Sequence, residues 1–159
     1  MRIMFVCHGN ICRSPMAEFI FKKMIEERGA AQGFLVESSA TSGEEIVCGV
    51  GNPVYPPARL ELARHGIGCE GKRAVRLRAD NYGEYDLFIC MDNANLRNAR
   101  LLFSGDPFAK CYRLMDFTER GGEVADPWYS DRFDIAYRDI VEGCVGLLTA
   151  ILEGRIKEK

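Results

Sequence analysis

The stretch RIMFVCHGNICRSP, residues 2–15, decides the fold of this chain. Its first part, residues 2–6, is almost entirely apolar, as expected of a strand that is buried on both faces of a sheet. Ser14 and Pro15 match the start of a helix, with serine as the N-cap and proline at the first helical position. A strand, a short loop and a helix in this order predict the beginning of a βαβ unit.

Short apolar segments and helix-like periodicities alternate along the rest of the chain. The first helix is expected to end near Gly29. Further strands are predicted at residues 34–36, 87–91 and 109–114, and further helices at residues 58–65, 92–102 and 131–153, with a loop over residues 43–57. Asp92 is predicted to cap the helix that follows the third strand. Strands separated by helices form parallel sheets, in which functional sites lie at the carboxyl ends of the strands.

Composition limits the classes of function. The chain has 159 residues, of which 47% are hydrophobic and 28% charged, and this fits one domain spanning residues 1–159. The formal net charge of −2 leaves no basic excess for nucleic-acid binding. No apolar run approaches the roughly 18–20 residues that cross a bilayer. Because no signal-peptide apolar region is present either, we expect a cytoplasmic protein without a membrane span.

The cysteines do not form a metal-binding pattern. Seven cysteines are scattered along the chain, no Cys-x-x-Cys pair exists, and the histidines number two. Cys90 and Cys144 lie in apolar segments and are expected to be buried packing residues. We therefore expect no metal and no cofactor, which leaves Cys7 and Cys12 to explain.

The loop after the first strand has the pattern Cys-x5-Arg, from Cys7 to Arg13. A loop of this length can curl so that its backbone N–H groups and the following helix N-terminus point at one anion. Gly9 and Asn10 are residue types that tolerate the positive φ that such a curl needs. The Arg13 guanidinium can bind two oxygens of a phosphoryl group at once.

Cys7 would lie at the centre of these donors. Cationic and dipolar surroundings favour a thiolate, which is a nucleophile. The Ser14 hydroxyl can donate a hydrogen bond to that sulfur as well as cap the helix. A helix start with a cysteine and an arginine nearby by chance is the alternative interpretation of the same residues.

A thiolate that attacks phosphorus cannot protonate the leaving oxygen, so a separate general acid is required. Asp126 is the candidate, because Pro127 restricts the backbone next to it. Trp128 and Tyr129 could line a slot for a flat ring. The alternative is a plain Asp-Pro turn before the last helix, with Ser130 as the cap of that helix.

On these residues the sequence resembles the low-molecular-weight protein tyrosine phosphatases. The resemblance covers essentially the whole chain, and it is most specific in the N-terminal signature. The matching segments are residues 5–18, 38–42, 51–53, 65–67, 91–96 and 126–129.

The resemblance implies a Rossmann-like α/β fold: a single-domain, doubly wound, four-stranded parallel sheet with helices on both faces. It implies hydrolysis of phosphotyrosine in protein substrates through a phosphocysteine on Cys7, with inorganic phosphate as product. Asp126 would act as general acid and then base without a metal, and Arg13 would clamp the phosphate. The remaining implied substrate-binding residues are His8, Gly9, Asn10, Ile11, Cys12, Ser14, Trp128 and Tyr129.

The sequence departs from the family pattern at a few positions. The segment between Ser42 and Gly51 is longer than usual and lacks a tryptophan that often lies there. Lys72 replaces a histidine that often supports the loop asparagine, Val75 replaces a common arginine, and Trp128 replaces a more usual tyrosine. These differences bear on substrate preference and on how the loop is supported.

Three other functions fit parts of the sequence. Thioredoxin-coupled arsenate reductases share the loop but need two further cysteines after the third strand, whereas residues 91–110 contain none. Phosphoarginine phosphatases of the same family typically carry threonine in place of Ile11 and a less aromatic acid loop. A module that only binds phosphotyrosine would have no use for both a nucleophile and an acid.

Cys12 lies in the same loop as Cys7. A disulfide between them is therefore sterically conceivable, and it would protect Cys7 from irreversible oxidation. Packing of Cys12 as a small buried residue is the alternative.

Overall fold

The first predicted strand lies inside a four-stranded parallel sheet of the computed structural model, which describes residues 1–156. The strands are β1 Arg2–Cys7, β2 Leu35–Ala40, β3 Ile46–Val47, β4 Val50–Gly51, β5 Leu87–Cys90 and β6 Cys111–Arg113. The helices are α1 Arg13–Glu27, α2 Pro56–Arg64, α3 Asn81–Glu84, α4 Asn93–Leu102, α5 Pro127–Ser130 and α6 Phe133–Leu152. Two short 3-10 turns are formed by Ala31–Gly33 and Leu114–Phe117.

The strand order is β2-β1-β5-β6, with every neighbouring pair parallel. From β1 the chain first moves outward to β2, then crosses back to β5 on the other side and continues to β6. This reversal makes the sheet doubly wound, and the predicted fold class is confirmed.

Both faces of the sheet are covered. Ile3 and Phe5 of β1 belong to a large apolar cluster with α1, α2 and α6, whereas Met4 and Val6 belong to a smaller cluster with α4. All four side chains are at most 4% exposed. A continuous apolar run, rather than an alternating one, is what a central strand between two helical layers requires.

The strands differ from the prediction mainly in length. β2 continues to Ala40, beyond the predicted end at residue 36, because this part of the chain pairs with β1 up to Cys7. Ser38 and Ser39 are buried in β2 although they are polar, so hydropathy did not mark them as strand residues. β6 is shorter than the predicted strand over residues 109–114.

The prediction that Ser14 is the N-cap of the first helix is wrong. α1 begins at Arg13, the N-cap position is occupied by Cys12, and no side chain caps the helix. Ser14 lies within the first turn, where its hydroxyl contacts the Cys7 sulfur instead. Pro15 is accommodated because the N–H groups of a first helical turn have no helical acceptor.

The C-terminal helix begins later than the predicted residue 131. Asp131 has a left-handed backbone (φ 56°), which separates the short α5 from α6. Ser130 is in α5 and does not occupy the N-cap of α6, where Arg132 lies. The predicted loop over residues 43–57 contains the antiparallel hairpin of β3 and β4 as well as the start of α2.

Among residues 1–156, no helix is both long and apolar enough to cross a membrane. No cluster of His, Cys, Asp and Glu side chains that could hold a metal ion occurs within this described range. The last three residues of the predicted domain, 157–159, lie outside it.

Candidate functional site

The loop of residues 8–12 joins β1 to α1 at the carboxyl edge of the sheet, next to the point where the strand order reverses. Two carboxylates reach the same place: Asp92, which follows β5, and Asp126, which precedes α5. Since parallel strands end at one edge, residues far apart in sequence meet here. The structure thus brings the predicted loop and Asp126 together at the carboxyl edge of the sheet.

Asn10 gives the loop its curl. It has a left-handed backbone (φ 58°). Gly9 and Asn10 were both expected to tolerate a positive φ, and only Asn10 of the two adopts one. The Asn10 N–H consequently points inward, 3.3 Å from the Cys7 sulfur. Gly9 instead faces the opposite wall, since a Cβ there would lie 3.2 Å from Cγ of Glu45.

The Cys7 sulfur lies at the base of this curl and is 3% exposed. The Ser14 hydroxyl oxygen is 2.9 Å from it and also accepts a hydrogen bond from the Asn10 side-chain amide. Because Asn10 Nδ2 is a donor, the hydroxyl hydrogen of Ser14 is left free to point at the sulfur. Cys7 therefore has two donors arranged around it, as a thiolate requires.

Cys12 differs from Cys7 in its surroundings, although both line the same cleft. Burial, with added repulsion from Cys7 and Asp126, raises the pKa of Cys12 to about 12. Cys12 is therefore a neutral thiol at physiological pH.

The side chain of Asn10 is fixed from three sides. Its Nδ2 donates to the hydroxyls of Ser14 and Ser38, both at 2.9 Å, and its Oδ1 accepts from Val75 N–H at 3.0 Å. Asn10 is 1% exposed, so these bonds satisfy a buried amide that would otherwise be costly. Protein hydrogen bonds thus hold the loop in its shape.

Lys72 supports this network from behind. The Ser38 hydroxyl donates to Oε2 of Glu18 at 2.5 Å, and Lys72 Nζ lies 3.3 Å from the same oxygen. Lys72 also donates to the Ser38 carbonyl oxygen at 3.0 Å. The Lys72 ammonium therefore supports Asn10 indirectly: it binds Ser38 and Glu18, and the Ser38 hydroxyl binds the Asn10 amide.

Arg13 connects the loop to both carboxylates. Its Nη2 is 2.9 Å from Oδ2 of Asp92 and 3.2 Å from Oδ2 of Asp126, and its Nη1 donates to the Val124 carbonyl oxygen at 3.1 Å. The side chain is 4% exposed, so its charge is balanced inside the protein. Asp92 also caps α4 by accepting from Asn95 N–H, which confirms its predicted structural role.

Asp126 is more accessible than Arg13, with 34% of its side chain exposed. Its Oδ1 accepts from Trp128 N–H at 3.1 Å, so the residue caps α5. Its Oδ2 faces Arg13 and the cleft. Asp126 therefore caps the helix after the Asp-Pro turn with one oxygen and faces the cleft with the other. The turn interpretation and the general-acid interpretation of this residue are compatible.

Most of the predicted site residues surround one cleft. Trp128 packs against Tyr55 with ring centroids 5.0 Å apart, and Tyr129 is 87% exposed at the rim. Asn10 and Ser14 lie beneath the loop rather than in the cleft. The cleft is lined by Cys7, His8, Gly9, Ile11, Cys12, Arg13, Asp126, Trp128 and Tyr129, together with Glu44 and Glu45.

Glu44 and Glu45 were not predicted as site residues. Glu44 lies 3.0 Å from His8 Nε2, and Glu45 accepts from the Asn52 side chain at 2.7 Å. They belong to the segment between Ser42 and Gly51, whose unusual length was the available sequence signal. Nothing in that segment indicated that it folds over the loop.

Comparisons with known proteins agree on one family. A family model described as low molecular weight phosphotyrosine protein phosphatase matches residues 2–157. Bacillus subtilis YfkJ, a low molecular weight protein-tyrosine-phosphatase, is 32% identical over 151 residues, which cover 94% of each chain. The human low molecular weight phosphotyrosine protein phosphatase is 31% identical over 156 residues, covering 95% of this chain and 93% of the human one.

Solved structures show the same likeness. The crystal structure of B. subtilis YfkJ superposes with a TM-score of 0.91 at 30% identity, covering 98% of this chain and 96% of YfkJ. The crystal structure of DARP, a Drosophila arginine phosphatase, superposes with a TM-score of 0.84 at 26% identity, covering 95% of this chain and 98% of DARP.

Proposed function

Because this chain belongs to the low molecular weight phosphotyrosine protein phosphatase family, and is a hydrolase of that family, we propose that it cleaves phosphotyrosine through a phosphocysteine on Cys7. The observation that carries the proposal is the meeting of three groups in one cleft. They are the Cys7 sulfur with its two donors, the buried Arg13 guanidinium, and the Asp126 carboxylate.

In the first step, the Cys7 thiolate attacks phosphorus in line with the phenolic oxygen. Arg13 and the inward N–H groups of the loop stabilise the charge that builds up on the phosphoryl oxygens. Asp126, in its protonated form, gives its proton to the phenolic oxygen as the P–O bond breaks. The products are the dephosphorylated tyrosine side chain of the substrate protein and a phosphoryl group on the Cys7 sulfur.

In the second step, water attacks the phosphocysteine. Asp126, now a carboxylate, removes a proton from that water, and the P–S bond breaks to give inorganic phosphate and the thiolate. The Ser14 hydroxyl, 2.9 Å from the sulfur, stabilises the thiolate that leaves. His8, Gly9, Ile11 and Cys12 contribute their backbone or side chains to the phosphate cradle in both steps.

An aromatic substrate is favoured by the wall of the cleft. Trp128 and Tyr129 offer flat faces beside Asp126, and Tyr55 supports Trp128 from behind. Such faces stack on a phenyl ring. A phosphoarginine substrate is the second candidate, because an arginine phosphatase has the same fold, but Ile11 and the aromatic wall argue for tyrosine.

The test compares initial rates of phosphate release from peptides that differ only in phosphotyrosine, phosphoarginine or phosphoserine. We expect phosphotyrosine to be cleaved fastest, and Cys7→Ser to remove turnover while keeping vanadate binding. Faster cleavage of phosphoarginine would instead assign the second function. Protein substrates and a cytoplasmic location are part of the same proposal.

A further inference from the structure

Asp139 lies in α6, outside the cleft, and its side chain is 3% exposed. A buried carboxylate is unfavourable unless it is paired and hydrogen-bonded. Its Oδ1 accepts from Arg120 at 2.9 Å and from Arg138 at 3.2 Å. Its Oδ2 accepts from the backbone N–H of Ala125 at 3.2 Å.

Ala125 directly precedes Asp126 in a segment without regular structure, residues 118–126. Val124, the residue before Ala125, is held by two backbone bonds: its N–H donates to the Met91 carbonyl oxygen at 2.9 Å, and its carbonyl accepts from Arg13 at 3.1 Å. The contact from Asp139 is one residue closer to the carboxyl group of Asp126.

Asp139 also holds the far end of the same segment through Arg120. That guanidinium binds Asp139 and, at 2.9 Å, Glu142 one turn further along α6. The Asp139 carboxylate therefore contacts the segment at two places, and Arg138 pairs with the same oxygen as Arg120. A hydrogen bond to an ionised acceptor is shorter and stronger than one between neutral groups.

We infer that Asp139 is a positioning residue for the general acid. Through the Ala125 N–H it determines where the Asp126 carboxyl group stands relative to the P–O bond that breaks when the Cys7 thiolate attacks phosphorus. The inference rests on the proposed function, since it needs Asp126 to be the acid. A displacement of about 1 Å in a reacting group can cost on the order of 10²-fold in rate, so one hydrogen bond beside Asp126 is enough to matter.

The experiment measures phosphocysteine formation as a burst, across aryl phosphates whose phenols differ in acidity. We expect Asp139→Ala to slow the burst about tenfold for phosphotyrosine and less than about twofold for the most acidic phenol. Asp139→Asn keeps the size and one acceptor oxygen, so it should show a smaller loss with the same dependence. If Asp139→Ala does not fold, Asp139→Asn decides alone.

The Asp126→Asn background separates positioning from general support. If Asp139 acts through Asp126, adding either Asp139 variant to Asp126→Asn causes no further loss in the burst rate. Glu142→Gln is the matched control, because it removes a partner of Arg120 but leaves the Ala125 contact, and it should match the parent throughout.

Any of three results would overturn the inference. They are an equal loss of burst rate for every leaving group, the same loss in the Asp126→Asn background, and no loss of burst rate in both Asp139 variants. Asp126→Asn by itself tests the proposed function. If its own loss does not depend on the leaving group, the acid is another residue and the proposed function fails first.

Discussion

Arg13 and Asp126 form an ion pair at the cleft, with Nη2 3.2 Å from Oδ2. The residue proposed to bind phosphate and the residue proposed to protonate the leaving group are therefore already in contact. Nη2 is also shared with Asp92, so an incoming phosphoryl group competes with carboxylates for this guanidinium. In the proposed mechanism, substrate binding and the release of Asp126 towards the leaving oxygen would therefore be coupled through the Arg13 side chain.

Asp126→Asn should slow phosphotyrosine hydrolysis by about 10²–10⁴-fold. Tyrosine is a poor leaving group, because the pKa of its phenol is about 10, and asparagine cannot supply the proton. The loss should shrink steadily along a series of aryl phosphates with more acidic phenols, measured as the burst of phosphocysteine formation. Asp131→Asn, which changes an exposed neighbouring carboxylate, is the control. An Asp126→Asn loss of equal size for every phenol would show that Asp126 only shapes the loop.

Peroxide should inactivate the enzyme reversibly through a disulfide between Cys7 and Cys12. Peroxide oxidises Cys7 to a sulfenic acid, and the Cys12 sulfur then displaces water to close the bridge. Dithiothreitol should restore activity, and peptide mapping should identify the bridge. Cys12→Ala should recover much less, because Cys7 would oxidise further. Full recovery of that variant would contradict the bridge.

Bridge closure should also accelerate with pH. The pKa of Cys12 is raised to about 12, so at neutral pH only a small fraction is thiolate. Below that pKa the thiolate fraction rises about tenfold for each pH unit. Oxidation of Cys7 removes one of the charges whose repulsion raises the pKa of Cys12. Disulfide closure should therefore be faster than expected from the pKa of about 12 in the reduced protein. The measurement is the rate at which dithiothreitol-reversible inactivation becomes complete at several pH values.

Lys72→Met should destabilise the protein by about 2 kcal/mol and reduce turnover, because it leaves the buried Glu18 carboxylate with one cation fewer. The Lys72 and Glu18 side chains are 12% and 5% exposed. Lys22→Met is the control, since Lys22 also pairs with Glu18 but is 42% exposed and does not touch Ser38. The free energy of unfolding is measured in urea.

A second substitution tests the cause of that loss. Glu18→Gln in the Lys72→Met background removes the charge that Lys72 no longer balances and keeps an acceptor for the Ser38 hydroxyl. We expect it to recover part of the lost stability. If the double variant is less stable than Lys72→Met, the buried charge is not what Lys72 balances.

Gly146→Ala should destabilise the fold by about 2–3 kcal/mol, in the range of overpacked core positions. A Cβ at this position of α6 would overlap the carbonyl oxygen of Phe117, and backbone cannot move aside as a side chain can. Gly33→Ala is the control, because a Cβ there meets nothing within 4 Å. Thermal unfolding of the two variants would give the comparison, and equal melting temperatures would show that α6 shifts freely.

The sequence predicted the parts of the structure that depend on local pattern. The apolar run before Cys7, the glycine-containing loop and the Asp92 cap could be recognised because hydropathy, turn residues and capping act within a few positions. β2 was predicted too short because Ser38 and Ser39 are polar but buried. Their place in the strand depends on pairing with β1, which is distant in sequence and is not reflected in hydropathy.

The residues missed in the site are those placed by tertiary contacts. Glu44 and Glu45 line the cleft because a hairpin folds across the loop, and Asp139 reaches Ala125 from a helix packed on the other side of the segment. No spacing in the sequence encodes these meetings. The predicted contact of Ser14 with Cys7 is present in the structure, but its predicted capping role was wrong because the helix starts two residues earlier.

The left-handed Asn10 and its buried amide have a consequence for inhibition. Because protein hydrogen bonds alone hold the shape of the loop, little conformational entropy should be lost when a tetrahedral oxyanion enters it. In the proposed reaction the loop would therefore bind the phosphoryl group itself, whether that group is still attached to a protein or has been set free. Inorganic phosphate should compete with substrate, so that the turnover of this enzyme in a cell responds to the local phosphate concentration.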